Sequence, residues 1–184
     1  MYGVEFSPRA QILAAGGMVV LRANPRGTPG YGEEFGHLLR SRYPGDDFDD
    51  LMRGVDAAIA KGSVDPERVS IAGAVVAAWA IGHTPRFYRA VAQRPIVDWA
   101  VDLARAVPAM GVLPWDDPEQ YVKHSPIFFA QNFRTPTLIL AGDSDAGSQQ
   151  LYDALRTRNV EAALVTAGGD RALELDAILA WLAK

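Results

Sequence analysis

Hydrophobic and polar positions follow two rhythms along the chain. Short aliphatic runs bounded by Gly, Pro or Asp have the signature of buried strands, and longer stretches with apolar residues three and four apart have that of helices. The strand-like runs are Met18-Val19-Val20-Leu21-Arg22, Arg68-Val69-Ser70-Ile71-Ala72-Gly73, residues 88–93, Thr137-Leu138-Ile139-Leu140-Ala141 and residues 161–166. A helix over residues 47–61 collects Phe48, Leu51, Met52, Val55 and Ile59 on one face. Shorter helices are expected over residues 11–15, 75–81 and 149–157, and a last one over 172–183 carries Leu175, Ile178, Leu179 and Leu182 as its stripe. Residues 24–32 are too dense in Pro and Gly for either element, and residues 97–132 form an excursion broken by Pro108, Pro114, Pro118 and Pro126. Alternating strands and helices predict an α/β fold: a three-layer α/β/α sandwich around a mostly parallel sheet of about five strands, in one domain.

Composition narrows the chemistry. A chain of 184 residues, 49% hydrophobic and 22% charged, suits one soluble domain, and a cytoplasmic one is expected. No stretch approaches the ~18 consecutive apolar residues of a membrane span, and no signal peptide is expected from the opening residues. The net charge of −4 comes without a basic run, so nucleic acid has no electrostatic footprint to bind. The absence of cysteine removes disulfides, thiolate nucleophiles and cysteine-type zinc sites. His37, His83 and His124 are scattered without metal-ligand spacing, so neither a metal nor a cofactor is expected.

Several ordered blocks resemble one family. Asn24-Pro25-Arg26-Gly27 followed by Gly30-Tyr31-Gly32-Glu33-Glu34-Phe35 is very like a signature of acylaminoacyl peptidases and dipeptidyl peptidases. Asp49-Asp50-Leu51-Met52, Gly54-Val55-Asp56-Ala57, Asp65-Pro66-Glu67-Arg68-Val69, Gly82-His83-Thr84, Arg86-Phe87, His124-Ser125-Pro126, Thr135-Pro136-Thr137 and Ala180-Trp181-Leu182 follow in the family's order. The chain thus resembles, along essentially its whole length, the catalytic α/β-hydrolase domain of the prolyl oligopeptidase family. The resemblance implies a serine peptidase ancestry, and its departures concern the catalytic residues.

In that family the strand matching Val69–Gly73 enters a G-x-S-x-G-G nucleophile elbow. Here Gly73 leads into Ala74-Val75-Val76-Ala77-Ala78-Trp79, about four residues short, close to the ~3.6 of one helical turn, so a helix can lose them and keep its apolar face in phase. Gly142-Asp143-Ser144-Asp145 matches the loop of the triad acid, with Asp145 in the acid's place. Where the family carries its catalytic histidine, the chain has Ala167-Gly168-Gly169-Asp170-Arg171. The resemblance also implies a strand and oxyanion-hole segment ahead of Tyr2, placed between the runs at residues 18–22 and 68–73. Without that strand the two runs are expected to pair directly, or to leave an edge through which a homodimer forms. Losses confined to one edge of the sheet imply engineering or an evolved loss of catalysis rather than random decay.

A rebuilt triad would need a nucleophile, a base and an orienting acid. Of the seven serines, Ser70 is expected to be a packed hydroxyl within a strand, Ser125 a turn residue and Ser148 the N-cap of the helix from Gln149; Ser7, Ser41, Ser63 and Ser144 have no elbow. His83 suits a carbonyl-rich helix end, His124 a structural block and His37 a solvated surface. Asp46, Asp47, Asp49 and Asp50 are expected to complement a helix N-terminus, and Arg26 to tie its loop to nearby carboxylates. Gly168-Gly169 with Arg171 suits a shortened loop rather than an anion cradle. Three functions remain open: a catalytically silent hydrolase scaffold, a residual hydrolase of esters or acylated peptides, and a binding module for a small ligand or protein.

Overall fold

Thr137–Ala141 is apolar at almost every position because a strand inside a parallel sheet is covered on both faces, and all five of its residues are buried. It is the third of four parallel strands that pair in chain order: β1 (Ser70–Gly73), β2 (Arg89–Gln93), β3 (Thr137–Ala141) and β4 (Ala162–Thr166). The computed structural model describes residues 6–143 and 145–184. Their helices are α1 (Pro8–Ala15), α2 (Glu33–Gly36), α3 (Asp46–Ala60), α4 (Val75–His83), α5 (Leu103–Met110), α6 (Pro118–His124), α7 (Ala146–Thr157) and α8 (Arg171–Leu182), with 3-10 turns at His37–Leu39, Pro66–Arg68 and Pro126–Asn132.

Right-handed crossovers that always step in the same direction put their helices on one face of the sheet. Accordingly Ala77, Ala78 and Ile81 of α4, Phe133 after the third 3-10 turn, and Leu151 and Leu155 of α7 pack with Ala90, Ala92 and Ile139 in one cluster. The opposite face, Val91, Leu138 and Leu140, is covered by Ile178 and Trp181 of α8 with Leu13 of α1. The result is the expected three-layer sandwich. α3 extends the first face through Phe48 and Met52, which pack against Trp79, Ala80 and Phe87.

The fifth expected strand is not part of the sheet. Residues 18–22 adopt no regular secondary structure and pair with no strand, so the expected direct pairing with β1 does not occur. Both segments instead line a common cleft of about 1390 Å³, into which Val19, Leu21 and Ile71 are drawn together with Leu51, Met52 and Val55 of α3. A strand needs a neighbour at hydrogen-bonding distance, and alternation in the sequence supplies only the faces. For the same reason Ser70, expected to be packed, is exposed at the start of β1. Pro118 and Pro126 open α6 and the third 3-10 turn, where a missing N–H costs least, whereas Pro108 lies inside α5 near its end. No helix among the described residues is long and apolar enough to cross a membrane.

Candidate active-site edge

In an all-parallel sheet, chemistry collects beyond the carboxyl ends of the strands. Four connections leave that edge, β1 to α4, β2 to α5, β3 to α7 and β4 to α8, and the first, third and fourth of these carry the positions weighed in the sequence.

The first connection is apolar. Ala74 occupies the N-cap position of α4 with φ −84° and ψ −97° and offers no side-chain cap. Val75, next in line, is buried with Ile96, Trp99, Ala106, Met110 and Tyr121. Alanine and valine put no hydroxyl at this turn.

The β3–α7 connection uses Asp145 for structure. Asp145 caps α7: one carboxylate oxygen accepts the Ser148 backbone N–H at 3.1 Å, and the other accepts the Ser148 hydroxyl at 2.7 Å and the Gly142 N–H at 3.4 Å. Ser148 is therefore not the cap that the sequence suggests but a fully buried first-turn residue bonded to it. The turn is tight, since a Cβ on Gly147 would lie 2.4 Å from the Pro95 carbonyl oxygen. Ser144, weighed above as a nucleophile, lies outside the described residues.

The β4–α8 connection, from Ala167 to Asp170, turns through Gly168 and Gly169 at φ 54° and 85°. Asp170 then caps α8 by accepting the N–H groups of Ala172 at 2.9 Å and Leu173 at 3.2 Å. Asp145 and Asp170 thus both serve helix ends.

The histidines are placed elsewhere. His83 Nδ1 bonds the Trp79 carbonyl at 2.8 Å, the ring stacks on Trp79 with centroids 3.6 Å apart, and burial lowers its pKa. His124 is buried, with Nδ1 bonded to the Pro44 carbonyl at 2.9 Å. His37 is exposed. Ser125 accepts the Trp99 N–H at 2.9 Å. Among the described residues no hydrogen bond joins a serine hydroxyl to a histidine ring.

The cleft beside β1 gathers the remaining polar groups. Arg26 donates from Nε to one oxygen of Asp50 at 2.8 Å and from Nη2 to the other at 2.7 Å, as its loop position in the sequence suggests, and reaches Asp46 at 3.4 Å. This fork-to-carboxylate pair holds the Asp50 carboxyl down to about 2. Asp47 faces the other way. It is buried, burial raises its pKa, and it accepts the Gly45 N–H at 2.7 Å. Tyr43, which lines the cleft with it, is pushed up to about 12, first by burial and then by the Asp47 charge. Asp47 opens α3 as its place in the sequence suggests, yet it precedes Leu51 by four residues and so also shares the apolar stripe of that helix. That spacing marks it for burial.

Comparison with known proteins follows the same outline. The family model described as the prolyl oligopeptidase family matches residues 4–170. The uncharacterized peptidase YuxL of Bacillus subtilis is 36% identical over 182 residues, covering 90% of this chain and 28% of its own length. The acylamino-acid-releasing enzyme of Homo sapiens is 27% identical over 175 residues, covering 81% and 24%. The solved acylaminoacyl peptidase of Pyrococcus horikoshii superposes with a TM-score of 0.83 at 26% identity, over 90% of this chain and 30% of that one. The chain thus spans about a quarter of the length of the curated relatives it matches.

Proposed function

The chain belongs to the prolyl oligopeptidase family, and on that premise we propose that it is a catalytically silent α/β-hydrolase scaffold. The observation that carries this reading is the β1–α4 connection, where Gly73-Ala74-Val75 enters the helix without a hydroxyl. Two further features support it. Asp145, the residue in the triad acid's place, has its carboxylate occupied by Ser148 and Gly142. The loop that would carry the base reads Ala167-Gly168-Gly169-Asp170, without histidine. Losing nucleophile and base together removes most of the acceleration of a triad enzyme, leaving at most ~10³–10⁴-fold over water where an oxyanion hole persists.

The shortened parts lie at one edge while the apolar clusters on both sheet faces stay continuous. That pattern favours deliberate removal over gradual decay. The test is exposure to a fluorophosphonate probe, read by intact mass, beside turnover of an activated ester. The unlabelled mass and background turnover are expected from a cooperatively folded sample. A single serine adduct with turnover above background would refute silence and make the chain a residual hydrolase.

A further inference from the structure

The amino ends of the strands, opposite the edge described above, hold a stack of alternating cations and aromatic rings. Arg68 closes the 3-10 turn before β1, Tyr88 leads into β2, which Arg89 opens, Trp181 lies in the last turn of α8, and Lys184 follows that helix. The Arg68 guanidinium carbon lies 5.9 Å from the centre of the Tyr88 ring. That of Arg89 lies 5.3 Å from the same ring and 4.8 Å from Trp181, and Lys184 Nζ stands 4.5 Å from Trp181. Attraction to the ring faces gathers three cationic side chains into one place.

Counterions are scarce there. Among the described residues Glu161 is the one carboxylate paired with any of the three: its Oε1 accepts from Lys184 Nζ at 3.2 Å, and its Oε2 stands 3.5 Å from Arg89 Nη1. Arg89 is only 7% exposed, yet its Nε and Nη1 close no hydrogen bond among the described residues. The buried Trp181 Nε1 likewise finds no acceptor. Buried donors in folded proteins are almost always bonded, and a buried arginine is almost always paired. Lys184 suits the carbonyl end of α8, but Arg89 stands on a strand, where no helix dipole accounts for a buried cation.

We propose that this stack is a binding site for a compact, doubly charged oxyanion, which takes the place of the Glu161 carboxylate beside Arg89. Charge sets the class of ligand: three cations against one carboxylate leave an excess of two positive charges, and moving Glu161 away only raises it. A guanidinium presents its donors as a fork that suits two oxygens of a phosphoryl or carboxylate group. Glu161 is the resident stand-in. Its side chain is 49% exposed and its approach to Arg89 is too long for a hydrogen bond, so it is free to swing into solvent.

The site lies apart from the catalytic edge, and its test makes no reference to hydrolysis. The intact chain is titrated with inorganic phosphate, glycerol phosphate and succinate at an ionic strength held constant with chloride. Binding is followed by calorimetry and by the indole N–H resonance of Trp181, assigned with Trp181→Phe. A dianion should saturate at one per chain and shift that resonance; saturation by the two phosphates marks a phosphoryl ligand, and saturation by succinate a dicarboxylate. Glu161→Gln removes the competing carboxylate and should tighten binding about threefold, whereas Lys184→Met should weaken it about threefold. Arg89→Met, which puts an apolar stem of similar length in the buried place, should weaken it about tenfold or more. Because Glu161 and Lys184 are both exposed, their variants keep the test intact should Arg89→Met fold poorly. Three results would each overturn the proposal: no saturation by any of the dianions, wild-type binding in Lys184→Met together with Arg89→Met, or weaker binding in Glu161→Gln.

Discussion

The two sides of the sheet are held together by different means. From β2 to β4 the chain is closed by apolar contacts on both faces, with Phe133, Ile139, Leu151 and Leu155 at no more than 1% exposure. Around the cleft, residues 18–28 are fixed by a few polar ties, chiefly Arg26 to Asp50, and leave Val19 and Leu21 in the open. The closed side shows how much of a parallel sheet can be stabilised by packing alone. The open side shows that an extended segment without a strand partner needs charged anchors to stay near its place.

The sharpest way to break this comparison is in the closed side. Phe133→Ala removes a fully buried ring beside Gly82 and should cost about 3–5 kcal/mol in denaturant unfolding. A loss under about 1 kcal/mol would mean that the cluster is loosely packed. Gly147→Ala attacks the edge of the same side, where a Cβ would meet the Pro95 carbonyl at 2.4 Å. The forced shift should cost about 1–3 kcal/mol, and a neutral result would show that the α7 turn is free to move.

The open side should respond differently. Arg26→Ala should give a smaller loss that shrinks further with added salt, and should speed proteolysis within residues 24–32. The Asp50 carboxyl is lowered from 3.8 to about 2 in the folded chain, so its stabilising contribution is complete above 3.8 and lost as pH falls through 2. Wild type and Arg26→Ala should therefore converge in acid melts toward pH 2; a gap that persists there would assign the effect to packing of the arginine stem. Smallest of all, Leu21→Ala should change stability by less than about 0.5 kcal/mol, as expected of a side chain that is 48% exposed. A larger cost would show that residues 18–22 are already packed.

The same contrast explains what the sequence made legible. β3 was readable to the residue and β2, β4, α3 and α8 to within a residue or two, because burial on one or both faces imposes a period that composition records. Residues 18–22 carry an equally good strand pattern, yet pairing is a relation to a neighbour and leaves no mark in the segment itself. At the candidate site, the resemblance located Asp145, but not that its oxygens are taken by Ser148 and Gly142. Ser148 and Asp145 are both good caps by type, and three residues separate them, so only the turn around Gly147 decides between them. Asp47 was legible as a helix-opening acid, whereas its burial depended on noticing a polar residue in an apolar stripe.

The order of the strands in the sheet has a consequence for how the chain is made. Each strand pairs only with those before and after it in sequence, so the sheet can be laid down in the order in which residues leave the ribosome. Each newly emerged strand finds its partner already in place, and α4 and α7 arrive in time to cover the first face. Val91, Leu138 and Leu140 on the other face have no such timing, because Ile178 and Trp181 belong to α8, which follows the last of the four strands. Until α8 emerges, that face has only the early α1, through Leu13, to cover it, and a nascent chain stalled before α8 is the form of this domain most exposed to chaperones and to aggregation.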